Sequence, residues 1–166
     1  MSWRADPTKV VECTFSDVRR WERAALRDEA WIRDTKNTRW FRYEDCGCIG
    51  VFYAGKGVAR LKGWFVDPAY RGAGVGDVLM QHAIHLLVLD PQVVQVHRMP
   101  MQEVGQKGLA LYGFRIVGQS RFSPRGKMAH LDITEEMRAW VRGGGTIRGY
   151  VHSRRSVTDA ADVQRV

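Results

Sequence analysis

Three cysteines, an odd number, do not make a disulfide framework and suit a reducing compartment. Cys46-Gly47-Cys48 is the one close pair. The second Cys/His pair that zinc would take is missing, so no metal site is expected. No stretch approaches roughly eighteen uninterrupted apolar residues, which excludes an expected membrane span. The opening Met1-Ser2-Trp3-Arg4-Ala5-Asp6-Pro7 has no apolar signal core, so the chain is expected in the cytoplasm. Repeats and low-complexity segments are absent. Two phosphate-binding motifs are also missing. A dinucleotide fingerprint would need glycine where Asp77 stands, and a P-loop would need Gly-Lys-Ser/Thr where Gly76 is followed by Asp77 and Val78.

What is present reads as one folded domain of ordinary size, with 166 residues, 45% apolar content and six tryptophans. The net charge is +8, from 26 basic and 18 acidic residues, and the basic set is dominated by arginine. Guanidinium groups grip phosphate oxygens in pairs, which suits phosphate-bearing partners such as nucleic acid. A merely solvated arginine-rich surface is the alternative.

Along the chain, residues 1–8 read as a loose lead-in and 9–15 as a first strand. Ser16-Asp17 offers a helix cap, and Val18, Trp21, Ala24 and Ala25 recur at helical spacing, so residues 17–33 are expected as one amphipathic helix. Residues 39–44 and 48–53 form a hairpin. A central strand follows at 58–66, with Ala59, Leu61, Gly63 and Phe65 on one face and Arg60, Lys62, Trp64 and Val66 on the other. A core-packed helix runs from Val75 to Asp90-Pro91, facing inward with Val75, Val78, Leu79, His82, Ala83, Leu86 and Leu87. His82 there reads as a hydrogen-bonded structural residue. Residues 93–96 are the fifth strand, with His97 leaving it. A weak helix at 101–111 contains Gly105 and Gly108, and two strands at 115–120 and 127–133 flank a turn at 123–126. Gly143-Gly144-Gly145 marks an expected edge between a domain, 1–142, and a basic tail, 143–166. The tail carries Arg148, Arg154 and Arg155 near Tyr150 and His152. It reads as disordered, docked on a second subunit of a homodimer, or bound to nucleic acid.

The chain is organised around residues 63–79. Pro68 ends the strand, and glycines at 72, 74 and 76 precede the helix, so that a backbone free of side chains meets a helix N-terminus. A diphosphate fits such a place. Arg71-Gly72-Ala73-Gly74-Val75-Gly76 resembles the Arg/Gln-x-x-Gly-x-Gly/Ala acyl-CoA motif of the GNAT family of N-acetyltransferases. The resemblance spans about residues 10–131, with Tyr112-Gly113-Phe114 similar to the family's Gly-Phe junction.

That resemblance implies an α/β (α+β) fold, a mixed, mostly antiparallel sheet of six to seven strands flanked by helices, with splayed fourth and fifth strands. It implies acetyl-CoA as cosubstrate, its diphosphate held at Arg71, Gly72, Ala73, Gly74, Val75 and Gly76. Backbone groups of Phe65 and Val66 would hold the pantetheine, and a Val66 donor would lie near the thioester. Many relatives carry a carboxylate on the strand before the cradle, where this chain has Lys62 and Gly63, and a tyrosine where it has Leu109. Tyr112, one helical turn later and able to reach the sulfur, and His97, whose imidazole titrates near neutral pH, are therefore the proton-handling candidates. Packing and surface roles are their alternatives, and Glu44, Asp45 and Glu103 are weaker choices. The implied reaction is direct acetyl transfer to a primary amine of a small molecule or protein. A second reading is a DNA nucleobase-modifying relative of the phage Mom type, and a third is a CoA-binding module without catalysis.

Overall fold

The computed structural model describes residues 3–100, 103–121 and 126–164, with the side chains of 103–105 and 156–164 outside the description. The side chain of Glu103, most of the expected turn at 123–126 and the first residues of the expected helix at 101–111 lie outside the described residues.

Alternating apolar residues build seven strands: β1 (Val10–Cys13), β2 (Thr38–Tyr43), β3 (Gly47–Gly55), β4 (Val58–Val66), β5 (Gln95–Arg98), β6 (Arg115–Gln119) and β7 (Lys127–Asp132). They form one sheet in the order β1-β2-β3-β4-β5-β7-β6. Every pairing is antiparallel except β4 with β5. Two parallel neighbours need a crossover, and the helix α3 (Val75–Leu89) supplies it. Among the described residues there are five further α-helices: α1 (Phe15–Val18), α2 (Glu22–Arg27), α4 (Glu103–Gly108), α5 (Glu135–Arg142) and α6 (Ile147–Gln164). The mixed sheet flanked by helices is the fold class the sequence implied.

The main core lies between α3 and the sheet, where Leu79, Met80, Ala83, Ile84 and Leu87 are fully buried against Ile49, Val51, Ala59 and Leu61. A second cluster on the other face joins Val18, Trp21 and Ala25 to Trp40, Cys48 and Phe65. Alternation along β4 therefore does not run unbroken as the sequence suggested. Ala59 and Leu61 face α3, whereas Phe65 faces α1 and α2, and Trp64 and Val66 pack with the α3 cluster instead. The switch occurs where Lys62 pairs Gly50 but Phe65 pairs Cys48, so that Gly63 and Trp64 together oppose Ile49. This is a β-bulge, and Gly63 makes it with φ 59°. The Trp40 ring lies so close that a Cβ at 63 would come within 2.8 Å of it.

Several elements differ from expectation for identifiable reasons. The single helix over 17–33 is instead α1, a 3₁₀ turn at Arg19–Trp21 and the short α2, closed where Glu29 takes φ 60° and the Ala30 amide bonds back to the Ala25 carbonyl. Stopping there carries Ala30 and Ile32 into the second cluster. In α3 the buried face takes in Met80, Ile84 and Val88, while Val78, His82 and Leu86 are only partly buried. Contacts with α5 and α6 on its outer side widen that face. No hydrogen bond of the His82 ring accompanies its tilted contact with Phe41, with centroids 5.0 Å apart. β5 is shifted two residues from the expected 93–96, because pairing and not the apolar run sets its span, and His97 lies within it.

The C-terminal segment, read as a basic tail, is helical from Ile147, which is fully buried in the main core. Arg148 pairs with Asp77, Arg154 with Glu136, and Arg155 donates to the Ala110 carbonyl. The buried Arg138 of α5 donates to the carbonyls of Val88, Asp90 and Val93 and so ties down the end of the crossover. Among the described residues no helix is long and apolar enough to cross a membrane.

Gly63→Val is expected to cost about 3 kcal/mol, from left-handed strain plus the collision with Trp40, read as a shifted urea midpoint. An unchanged midpoint would contradict this view of the bulge.

Candidate functional site

The chain leaves β4 at Asp67, whose side chain accepts from the Ala69 amide and holds a 3₁₀ turn at Pro68–Tyr70. From there to α3 the backbone separates its polar groups by direction. The Ala73 carbonyl accepts from the Ala5 amide, the Gly74 carbonyl from the Val78 amide, and the Gly76 carbonyl from Trp64 Nε1 at 3.0 Å. Among the described residues, the amides of Gly72, Ala73, Gly74, Val75, Gly76 and Asp77 meet no protein acceptor. Gly74 caps α3 with φ 90° and no side-chain capping bond, and a side chain there would project into open space. Unpartnered amides at the positive end of a 15-residue helix can receive an anion with paired oxygens. The carboxylate in this first turn, Asp77, is held by partners on three sides. It accepts from the Tyr112 hydroxyl at 2.6 Å, from Gln81 and from Arg148.

Beside this cradle the sheet opens. β4 and β5 pair only from Val58 with Gln95 to Arg60 with His97, so the second half of β4 runs on without its neighbour. A cavity of about 250 Å³ occupies the gap, lined by Ala30, Trp64, Phe65, Val66, Arg98 and Leu109 among others. The Asp67 amide bonds Cys46, so the alternation of an antiparallel ladder turns the Val66 amide away from β3 and toward the gap. A second cavity, about 520 Å³, is lined by Phe52, Arg60, Leu61, Lys62, His97 and Met128, with Arg98 and Met99 shared between the two.

The residues singled out from sequence are distributed as follows. Phe65, Val66 and Arg71 line the smaller cavity, and Gly72 to Gly76 form the cradle next to it. Arg71 is turned inward, with Nε donating to the Val66 carbonyl at 2.9 Å and Nη2 to Asp28 at 2.6 Å. His97 lines the larger cavity. Tyr112 lines neither, and Leu109 takes the place at the gap. Burial and the Asp77 hydrogen bond push the Tyr112 hydroxyl far up, which makes it a poor acid. Glu44 pairs with Lys9 and Asp45 with Arg20, away from both cavities.

A family model for the acetyltransferase (GNAT) family matches residues 4–105. The chain belongs to that family. A search of curated protein sequences returns no match. Among solved structures, this GNAT chain is similar to Rv2747 from Mycobacterium tuberculosis in complex with CoA and NLQ. The TM-score is 0.58 at 12% identity, covering 75% of this chain and 99% of that one. It is similar also to N-acetylglutamate synthase from Neisseria gonorrhoeae complexed with coenzyme A and N-acetyl-glutamate. That match has TM-score 0.58 and 10% identity, over 76% of this chain and 35% of that one. AAC(6')-Ib in complex with ribostamycin and coenzyme A matches with TM-score 0.55 and 16% identity, over 75% and 92%.

Sequence reasoning about this GNAT chain missed Trp64 as the residue that fixes the Gly76 carbonyl and Arg98 as the cation between the cavities. Nothing in the sequence signals either, since each depends on where the bulge and the strand ends fall. Arg148 was seen only as tail charge.

His97 Nε2 donates to the Gln95 side-chain oxygen at 2.6 Å, and the ring stacks on His130, ring centroids 3.8 Å apart. Burial, then His130 and Arg60, lower its pKa. Burial is also the leading cause that lowers His82, His85 and His130. The folded state therefore prefers these rings neutral. As pH falls below their ordinary 6.5, the unfolded chain binds protons first and stability is lost. Urea midpoints are expected to hold from pH 8 to about 7 and fall steadily toward about pH 5; a flat midpoint down to pH 5 would count against these shifts.

Proposed function

We propose that this chain is a cytoplasmic N-acetyltransferase that moves acetyl from acetyl-CoA directly to a primary amine of a small molecule or protein. The observation that carries the reading is the run of unpartnered amides from Gly72 to Asp77 beside a gap between two diverging strands. A diphosphate is chemically matched to those amides, and a pantetheine arm to the gap lined by Phe65 and Val66. The glycines keep the cradle open, and Arg71 holds the Val66 carbonyl and Asp28 in place instead of reaching for phosphate.

In this reading the Val66 amide donates to the oxygen of the thioester carbonyl as it takes negative charge, a contribution of about 3 kcal/mol in comparable sites. His97, neutral at pH 7, takes the proton of the arriving ammonium. The amine nitrogen then attacks the carbonyl carbon, the carbon–sulfur bond breaks, and the leaving thiolate takes, through water, the second proton that the attacking nitrogen sheds as it becomes an amide. Tyr112 acts as a positioning residue, locking Asp77 and the first turn of α3.

The CoA-bound neighbours support acetyl-CoA as the cosubstrate. One of them holds N-acetyl-glutamate and another ribostamycin, so the shared fold accommodates unlike acceptors. The nucleic-acid reading rested partly on the tail arginines. Arg148, Arg154 and Arg155 are engaged within the chain, which favours the small-molecule or protein acceptor.

Replacing Gly74 by valine should abolish acetyl-CoA binding in isothermal titration while unfolding shifts by no more than about 2 kcal/mol. Retained affinity would remove the cradle from the account. His97→Gln should lower kcat about 10²-fold without altering acetyl-CoA affinity, and the wild-type rate should decline on the acid side below pH 6.5. A variant as fast as the parent would take the base role away from His97.

A further inference from the structure

The larger cavity carries cations and no acid. Arg60, Lys62 and Arg98 line it together with Lys36, alongside the apolar Phe52, Leu61 and Met128. Among the described residues no carboxylate forms an ion pair with any of these four cations, although most arginines that pair elsewhere in the chain do so with an acid. Asp132, which acts on His97, is already paired with Arg115, and Asp34 acts on Lys62 from a distance without forming an ion pair with it.

Two of the cations are held in unusual surroundings. Lys62 is half-buried, its Nζ 5.7 Å from the ring centroids of both Trp40 and Phe52, and it donates to Thr35 Oγ1 at 2.5 Å. Burial lowers its pKa. Arg98 reaches across the gap from β5, where Nη1 donates to the Leu61 carbonyl at 3.3 Å and the guanidinium lies 5.9 Å from the Trp64 ring. Its Nε is buried without any acceptor. Burial alone pushes the Arg98 guanidinium down to about 10. Arg98 as a whole is only partly buried, but leaving its Nε donor buried and unpaired is costly unless a ligand supplies an acceptor. Such a group at the junction of the two cavities calls for an anion.

We propose that the acceptor amine also carries an anionic group, a carboxylate or a phosphate, held by Lys62, Arg60 and Arg98 in the larger cavity. The inference rests on the acetyltransferase reading above and names its substrate class. The same cations disfavour a charged ammonium, so they also help present the amine in its neutral, nucleophilic form. Polycationic amines are repelled by this cavity. A cavity of about 520 Å³ matches a small molecule better than a duplex.

The test is thiol release from acetyl-CoA with matched acceptors. The panel comprises α-amino acids against their carboxamides, phosphoethanolamine against ethanolamine, spermidine, and a short DNA duplex, with acetyl-CoA titrated calorimetrically alongside. The expected result is a kcat/KM at least tenfold higher for an anionic amine than for its neutral partner, the amino-acid and phosphoethanolamine arms showing which anion is taken. Lys62→Met should raise KM for that amine at least tenfold, while Lys62→Arg keeps the preference. Equal rates within the pairs, faster reaction with spermidine, reaction with the duplex alone, no reaction with any anionic amine, or an unchanged KM in Lys62→Met would overturn the proposal. Should Lys62→Met not fold, the wild-type pairs and Lys62→Arg decide. Failure to bind acetyl-CoA would defeat the function reading itself, whereas binding and turnover without an anion preference would defeat this inference alone.

Discussion

Between Gly72 and Asp77 the carbonyls of Ala73, Gly74 and Gly76 are spent on the protein, while the amides of the run find no acceptor among the described residues. Ala5, Val78 and Trp64 take the carbonyls of Ala73, Gly74 and Gly76, and that orientation fixes which way the N–H groups face. Buried peptide groups left without partners are expensive, so such a run is tolerated only at an open surface that water or an anion can reach. The lead-in segment thereby acquires a purpose, because Ala5 pins the loop while Asp6 is held by the Tyr43 hydroxyl. The C-terminal helix acquires another, since Arg148 offsets the Asp77 charge beside the place where an anion would sit.

The second constraint is the bulge at Gly63. It turns Phe65 to one face and Trp64 and Val66 to the other, just past the last pairing between β4 and β5. One distorted strand therefore supplies three things at once: the Trp64 indole that orders the cradle, the Val66 amide at the gap, and Lys62 on the opposite side. The charge on that opposite side is inverted relative to what the family resemblance implied, with Lys62 standing where many relatives carry a carboxylate. In the proposed reaction proton removal is assigned to His97, whose surroundings lower its pKa.

The cradle and α3 were readable from sequence because their determinants are local. Glycine spacing, Pro68 and an apolar period leave little choice of conformation. The mixed sheet and the splay of the fourth and fifth strands came from resemblance to a family and not from the residues. The bulge escaped because β4 alternates perfectly on paper, and only packing shows that Gly63 sits at φ 59° under Trp40. β5 was misplaced because Val93 and Val94 look strand-like, although hydrogen bonding begins at Gln95. The tail looked detachable because Gly143-Gly144-Gly145 interrupts the pattern, yet Ile147 and Val151 pack beyond it against the main core. Arg98 was invisible for a related reason, since its significance lies in what its neighbours fail to offer.

Backbone amide spectra of the ¹⁵N-labelled protein, recorded with and without CoA, address the central claim most directly. The largest shifts should fall on the amides of Gly72, Ala73, Gly74, Val75, Gly76 and Asp77, with a second set at Phe65 and Val66. Shifts that leave those amides unmoved while CoA binds elsewhere would contradict the account.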